Sequence, residues 1–257
     1  MVELQVVVLA VAGSSPVGHP ISRYTPLDSI LQLFLMSIFE IIGPVMVGPS
    51  SSHTAGACRI GYMGRKLLDE IPHKATLFLH GSFFATGDGH GTKEALAAGL
   101  LGFHPDDERL IEALKITSQT GIEIIFQEID LGPQAHPNSV KMVLEGPTRS
   151  ITLIAASIGG GSVRLQEINS LPVDISGTLE TLLLWHHDTP GFLARITAVL
   201  ACVQINVASI RTSRFERGEM AITAIEMDGS LPSEVIALFK KITFITRLLL
   251  LSPLPGF

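Results

Sequence analysis

The order of elements predicted in the last third of the chain constrains the fold more than any other feature. Strands are predicted at residues 181–187, 206–215, 220–227 and 244–251. Amphipathic helices are predicted between them, at residues 188–204 and 233–242. The first helix begins with Asp188 as its N-cap, and Pro190 follows closely. The order βαββαβ predicts a ferredoxin-like split unit.

The residues before this unit have a mixed pattern without a strict βαβ repeat. Residues 54–71 have helical spacing, and small side chains there would let another backbone approach closely: Ala55, Gly56, Ala57, Gly61 and Gly64. Further predictions are strands at 74–83, 121–132 and 139–146, a strand pair within 150–168, and a glycine-rich loop entering a helix at 86–102. The predicted class is α+β: a mixed α/β domain at 37–168, an aperiodic linker at 169–180 and the ferredoxin-like unit at 181–257.

Composition excludes several classes of protein. A chain of 257 residues, 46% hydrophobic and 16% charged, should be globular, with one large domain or two ordinary ones. The formal net charge of −6 argues against nucleic acid and anionic membranes as partners. The two cysteines, Cys58 and Cys202, are far apart and lack a metal-type spacing, which fits a reducing, cytoplasmic compartment.

A leader peptide is the alternative at the N-terminus. The apolar run at residues 4–13 could pass for a signal peptide, but Glu3 stands where basic residues are expected. The apolar C-terminal run is much too short to span a bilayer, so no transmembrane segment is predicted.

The run GPSSSHTAG, residues 48–56, admits two interpretations. Ser50, Ser51 and Ser52 could cap a helix, because a serine hydroxyl accepts a hydrogen bond from a free backbone N–H. One serine suffices for a cap, so the run could equally be a ligand site, where backbone N–H groups bind a carboxylate and hydroxyls add donors. His53 would place a titratable group beside that anion, although a single histidine is more often structural. Thr54 continues the polar run.

The run GDGHGT, residues 87–92, presents a second histidine at the start of a helix. Since Lys93 follows Thr92, the run is not a Walker A loop, and its glycine spacing differs from a dinucleotide fingerprint. Two histidines at two polar helix starts are what acid–base chemistry on a small anionic substrate requires. We therefore predict His53 and His90 as catalytic residues. The predicted substrate-binding set is Ser50, Ser51, Ser52, Thr54, Gly91, Thr92 and Asn138.

Two further polar runs leave alternatives open. HPNS, residues 136–139, either forms a turn or adds Asn138, which can donate and accept hydrogen bonds, to a ligand site. SIGGGS, residues 157–162, could cradle a phosphate, but no lysine lies in a recognisable Schiff-base setting for pyridoxal phosphate. A zinc site formed by His53, His90 and His136 is an alternative without a spacing motif.

Four of these motifs together resemble a known family. IFEIIGPVMVGPSSSHTAGACRIG, HGSFFATGDGHGTKEALAAGLLG, HPNSV and SIGGGSV, in this order, are similar to the β chain of the two-subunit iron–sulfur L-serine dehydratase. The resemblance runs from about residue 37 to residue 242. It implies conversion of L-serine to pyruvate and ammonia, without pyridoxal phosphate. It also implies that a partner α chain ligates a [4Fe–4S] cluster and that this chain, with two cysteines, holds no metal.

The C-terminal unit has its own resemblance. DTPGFLARITAVLACVQINVASIRTSR is similar to the signature of ACT domains, small modules that bind amino acids and usually pair with each other. This implies an effector site at Asp188, Pro190, Gly191 and Asn206, and self-association through the domain. Neither resemblance covers residues 1–36 or the last 15 or so residues.

Two functions follow as hypotheses. In the first, the chain is the catalytic partner, and both histidines belong to an active site completed by the α chain. In the second, both domains only bind serine or another effector, and the chain is a regulatory subunit. Titratable histidines in both loops favour the first hypothesis, because binding a carboxylate needs only donors.

Overall fold

The computed structural model describes residues 44–255. Residues 1–36, which neither resemblance covers, lie outside the described residues, and so does the beginning of the first domain up to residue 43. Within the described residues, no helix is long and apolar enough to cross a bilayer.

The described chain contains five helices of eight residues or more and ten strands. The helices are α1 (Ala57–Leu68), α2 (Thr92–Leu101), α3 (Ala113–Thr120), α4 (Phe192–Cys202) and α5 (Ser233–Lys240). The strands of the first domain are β1 (Lys74–Leu79), β2 (Glu123–Glu128), β3 (Ser139–Glu145), β4 (Ser150–Gly159), β5 (Ser162–Ile168) and β6 (Leu171–Ile175). Those of the second are β7 (Glu180–His187), β8 (Val207–Arg214), β9 (Met220–Met227) and β10 (Ile245–Leu251).

The first sheet has the order β2-β1-β3-β4-β5-β6. Only β1 and β2 pair in parallel, and the other pairs are antiparallel, so the predicted absence of a βαβ repeat is confirmed. The linker prediction for residues 169–180 is wrong at its centre. Residues 171–175 form β6, with Leu171, Val173 and Ile175 buried at alternate positions, a period that the short run and its single proline obscured.

Helices α1 and α2 cross with their backbones in close contact, as the small residues of α1 predicted. A Cβ atom at Gly61 would lie 2.2 Å from the Leu96 carbonyl oxygen, and one at Gly99 would lie 2.0 Å from the Cys58 carbonyl oxygen. Only glycine allows this separation of the two helices. The two polar loops that precede α1 and α2 are consequently held side by side.

The second sheet has the order β10-β7-β9-β8 and is antiparallel throughout, so the predicted ferredoxin-like unit is confirmed. Leu182 and Ile225 point to one face, where they pack with residues of α4 and α5 such as Phe239. Leu183 and Ile222 point to the other face and join the hydrophobic core of the first domain. Both faces of the sheet are therefore covered.

Helix α1 is attached to the second domain at two places. Near its C-terminus, Arg247 of β10 donates from Nη2 to the Leu67 carbonyl oxygen at 2.7 Å and lies over the Trp185 ring. Nearer its start, the buried Arg59 donates to the carbonyl oxygens of Gly161, at 2.5 Å, and Pro255, at 3.1 Å. The C-terminal segment, which departs from the ordinary ACT pattern, thus helps to hold the helix that follows the first polar loop.

Candidate active site

The first polar loop forms a π-helical turn, Ser51–Gly56, that continues directly into α1. Ser50 is its N-cap, with extended backbone angles, and its hydroxyl accepts from the His53 N–H at 3.1 Å. The capping interpretation is therefore correct for Ser50. Ser51 and Ser52 are half-buried, and their side chains have no hydrogen-bond partner among the described residues, which leaves both hydroxyls available to a ligand. Single π-helical turns occur frequently at functional sites.

His53 contacts two hydroxyls from the segment after β1. Its Nε2 lies 3.0 Å from Ser82 Oγ and 3.2 Å from Thr86 Oγ1, and these two oxygens are 3.1 Å apart. The ring also packs edge-on against the buried Phe83. Sequence reasoning missed Ser82 and Thr86, although both lie within the quoted HGSFFATG motif. Three groups that can exchange a proton therefore meet at one ring nitrogen.

His90 lies beside His53, with the two ring centroids 4.9 Å apart. Its Nδ1 is 2.9 Å from the Thr86 carbonyl oxygen, which can only accept, so we assign the proton of the neutral ring to Nδ1. Nε2 then carries a free lone pair. The buried Thr54 hydroxyl donates to the His90 carbonyl oxygen at 2.9 Å, so Thr54 holds the two loops together from within.

The protonation of His53 is biased by these surroundings. Burial lowers the pKa of His53 below its ordinary value, a hydrogen bond to Ser82 opposes that change, and the nearby His90 lowers the pKa further. Near neutral pH, the His53 ring is consequently held in its neutral form, which can accept a proton.

The second loop is a short helical turn, Gly87–His90, followed by Gly91 in the left-handed region at φ +68°. Gly91 is also the residue before the first turn of α2. Thr92 begins α2 and is fully buried, with its hydroxyl unpartnered among the described residues. Its side chain lies beneath Gly87, where an added Cβ would be 3.3 Å from the hydroxyl oxygen. Thr92 therefore supports the loop from inside the domain.

The segment 136–139 contributes through its backbone. The His136 Nδ1 accepts from the Asn138 N–H at 3.1 Å, and the Asn138 carbonyl oxygen accepts from the Ser157 N–H at 2.9 Å. The turn interpretation is thus correct for His136. The side chain of Asn138 is half-buried and has no hydrogen-bond partner within residues 44–255. Ser157, a second residue that sequence reasoning missed, is fully buried and packs against Gly56 at the end of the π-helical turn.

The glycine run forms the hairpin between β4 and β5, with positive φ at Gly159, Gly160 and Gly161. A Cβ atom at Gly161 would lie 2.8 Å from Arg59 Nη1, so this glycine allows the buried arginine to reach the hairpin. The glycines therefore have a packing role, and the phosphate-cradle interpretation finds no support in these contacts.

An open cavity of about 220 Å³ adjoins the histidines. Its lining includes Val47, Thr54, Asp88, His90, Glu94 and Ile111. The Asp88 carboxylate pairs with Lys93 at 2.7 Å. His90 thus connects the cavity to His53 and its hydroxyl partners. Among residues 44–255, no three or more His, Cys, Asp or Glu side chains are grouped closely enough to hold a metal ion.

The two cysteines lie in different domains. Cys58 is buried in α1, its thiol donates to the Phe103 carbonyl oxygen at 3.4 Å, and burial raises its pKa to about 12. Cys202 is exposed at the end of α4. A thiol with so high a pKa stays protonated, and two separated thiols do not make a cluster site.

The residues implied as an effector site in the second domain do not come together within one chain. Asp188 accepts from the Gly218 N–H at 3.1 Å and pairs with Arg214, at the end of β7. Asn206 donates to the Asp228 carboxylate at 2.5 Å, beside the start of β7. At ~3.3 Å per residue, the two ends of this eight-residue strand are more than ~20 Å apart.

The N-cap prediction for Asp188 is also wrong. Helix α4 begins at Phe192, and its N-cap is Gly191, at φ +79° and without a side-chain capping bond. Asp188 bonds Gly218 and Arg214 instead, and the hydrogen bond from the Gly218 N–H, followed by that from Arg214, holds the pKa of Asp188 below its ordinary value. A Cβ atom at Gly191 would meet no atom within 4 Å, so the exposed backbone before α4 borders open space, and Pro190 is likewise exposed.

A mixed α/β domain with two paired histidine loops, followed by a ferredoxin-like ACT fold, defines the class of protein. The profile of the serine dehydratase beta chain family matches residues 37–168, and that of the ACT domain matches residues 181–244. The chain belongs to the serine dehydratase beta chain family, and it carries a C-terminal ACT domain.

Relatives agree with this assignment. The chain is 40% identical over 200 residues to "Probable L-serine dehydratase, beta chain" of Bacillus subtilis, covering 78% of this chain and 90% of the relative. It is 37% identical over 196 residues to "L-serine dehydratase, beta chain" of Peptoniphilus asaccharolyticus, covering 76% and 88%. A weaker likeness, 25% over 144 residues, extends to D-3-phosphoglycerate dehydrogenase of Bacillus subtilis, covering 56% of this chain and 27% of that protein.

Proposed function

We propose that this chain is the β subunit of an L-serine dehydratase, which deaminates L-serine to pyruvate and ammonia together with a cluster-bearing α subunit. The observation that carries the proposal is the contact between His53, His90 and the hydroxyls of Ser82 and Thr86. A module that only bound an effector would need donors for a carboxylate, whereas this arrangement adds a half-buried imidazole whose pKa is lowered. The catalytic hypothesis is therefore preferred to the regulatory one.

The residues of this chain do not fit a [4Fe–4S] cluster. Cys58 is protonated and already donates to a carbonyl oxygen, and Cys202 lies in the other domain. The proposal accordingly assigns the cluster to the α subunit.

The groups on this chain bind the substrate and move protons. The hydroxyls of Ser51 and Ser52 have no hydrogen-bond partner within residues 44–255, and at the start of a helix they can donate to the serine carboxylate. Conversion of serine to pyruvate begins with removal of the α-proton and loss of the β-hydroxyl as water, and the histidine pair supplies the acceptor for that proton. The enamine that results becomes an imine, which water hydrolyses to pyruvate and ammonia. Ser82 and Thr86 orient the His53 ring, while Thr54 keeps His90 beside it.

We propose that exposed apolar side chains around these loops contact the α subunit. Val45, Phe84, Ile111 and Ile158 are large, exposed and attached to segments that build or border the site. Exposed apolar groups near a polar site are typical of a surface covered by a partner. We place the α subunit on this surface, where it would close the open cavity.

Reconstitution without oxygen tests the proposal. The purified chain alone should show no turnover of L-serine and should gain it when combined with the α subunit. Phe84→Asp should weaken that assembly, whereas Phe215→Asp, at an exposed position in the second domain, should leave it intact. Turnover by the single chain, or a cluster bound by Cys58 and Cys202, would contradict the proposal.

For the ACT domain we propose effector binding and self-association. Strand β8 is an exposed edge strand, which offers unpaired backbone groups to a second copy. Since Asp188 and Asn206 lie at opposite ends of the sheet, a shared site requires two chains, with Gly191 and Pro190 of one beside Asn206 of the other. We also propose a cytoplasmic location, because Cys58 and Cys202 are both free thiols.

A further inference from the structure

A groove of about 480 Å³ lies between the two domains, away from the histidines and from Gly191. Its volume is within the range of roughly 300–1,000 Å³ that is usual for ligand sites. The polar side chains that line it are Arg164, Asp174, Ser176, Ser209, Arg211 and Glu226. Arg164 and Asp174 pair with each other at 2.6 Å on one wall, so that wall is neutral overall.

Glu226 is a fixed negative charge in the floor of this groove. It is 8% exposed, and it lies on the face of β9 that packs towards the first domain. Its Oε1 accepts from the Ser176 N–H at 2.8 Å and the Ser176 hydroxyl at 2.6 Å, and its Oε2 accepts from Ser209 at 2.9 Å. These donors come from both domains and hold the carboxylate in one place.

Arg211 supplies a positive charge on the same face. In β8, Ser209 lies opposite Glu226, and Arg211 lies opposite Ala224, so Arg211 is diagonal to Glu226. Diagonal neighbours across two strands are about 7–8 Å apart, a distance that long side chains can span. Within residues 44–255, Arg211 forms no ion pair.

We propose that this groove binds a small α-amino acid as a zwitterion, at a site separate from both the histidine cluster and the Gly191 turn. The carboxylate of the ligand pairs with Arg211, and its ammonium group donates to Glu226. Arg211 and Glu226 form no ion pair with each other within the described residues. A ligand that carries both charges pairs with each of them, and adds no net charge to the groove. Asp174 and Ser176 line the other side of the groove, and Ser176 donates to the same Glu226 carboxylate. A bound amino acid would therefore fill the space between β6 of the first domain and β8 of the ACT domain, and would stiffen the connection between them.

Hydrogen–deuterium exchange on the full chain tests this proposal, with L-serine in the millimolar range as the probe. Peptides covering residues 171–178 and 207–214 should exchange more slowly when L-serine is present. At an L-serine concentration of ten times Kd, exchange should slow by about tenfold for amides whose opening requires release of the ligand. Arg211→Gln should abolish this protection. The matched control, Arg217→Gln, changes an exposed arginine outside the groove and should retain it.

Further variants and probes locate the site and identify its chemistry. The two peptides should still be protected by L-serine in His53→Ala and in Gly191→Leu. The test therefore does not depend on whether the proposed active site or the proposed ACT effector site is correct. N-acetyl-L-serine and L-serine amide each lack one charge and should protect much less. Equal protection by inorganic phosphate, or protection by L-serine that survives Arg211→Gln, would overturn the proposal, as would no change in either peptide.

Discussion

The crossing of α1 and α2 can be tested by adding a single methyl group. In Gly99→Ala, the new Cβ atom would lie 2.0 Å from the Cys58 carbonyl oxygen and 2.4 Å from the Tyr62 backbone nitrogen, whereas ordinary contact begins at 3.4 Å. Both neighbours are backbone atoms of a buried helix, so no side-chain rotation relieves the overlap. The two helices must separate by ~1 Å, and close-packed interiors resist such a shift.

The expected loss of stability is the difference between two effects. Overpacking a core costs about 1–3 kcal/mol, and the contact with backbone puts this site at the upper end of that range. Alanine in a helix is favoured over glycine by about 1 kcal/mol, which partly offsets the cost. The net loss is therefore about 2 kcal/mol, which for a chain of this size lowers Tm by about 4–8 °C.

Thermal unfolding followed by circular dichroism measures this change. Gly89→Ala is the matched control, because a Cβ atom there meets nothing within 4 Å and Gly89 is not among the glycines at positive φ. The control should melt within about a degree of the wild type. Equal stability of Gly99→Ala and wild type would refute the close crossing. The reconstituted Gly99→Ala enzyme should also lose activity, because the crossing holds the two histidine loops together.

Two more predictions concern the ACT domain. His186 is buried, stacks on Phe192 and hydrogen-bonds Thr223. Burial lowers the pKa of His186 below its value in the unfolded chain, so the unfolded state binds more protons. The free energy of unfolding should therefore fall as the pH drops through about 6.5. Urea unfolding should show a smaller loss between neutral and acidic pH for His186→Gln than for wild type; an equal loss would exclude His186 as a cause. Gly191→Leu should abolish amino-acid-dependent protection of residues 188–195 in hydrogen exchange, while Gly191→Ala, with the same backbone strain at φ +79°, should keep it. No protection in the wild type would show that the domain only assembles.

The sequence predicted the elements that have a long apolar run or a helical period. The apolar runs at 181–187 and 220–227 predicted β7 and β9, and the helical spacing along 54–71 predicted α1, each within a few residues. Strand β6 was missed because five residues with a proline show too little alternation to be separated from a turn. Asp188 was misplaced because Arg214, distant in sequence, competes for its carboxylate.

The candidate site shows a similar division. Both histidine loops could be identified because polar residues and glycines cluster before helices, and the Ser50 cap follows from local chemistry. Ser82, Thr86 and Ser157 could not, because single hydroxyls carry no periodic signal and become meaningful only when the fold brings them to His53 or Gly56. The separation of Asp188 from Asn206 likewise depends on strand direction, which the motif does not contain.

The most direct test of the central claim is the steady-state kinetics of His53→Ala in the reconstituted α–β complex. The account predicts that kcat for L-serine falls by about 10²–10⁴-fold, the usual contribution of a positioned acid or base, while KM changes little and the complex still assembles. His104→Ala, at an exposed position in the same domain, should keep near-normal kcat. A His53→Ala enzyme with near-normal kcat and a raised KM would contradict the account and show that the loop binds substrate without taking part in the chemistry.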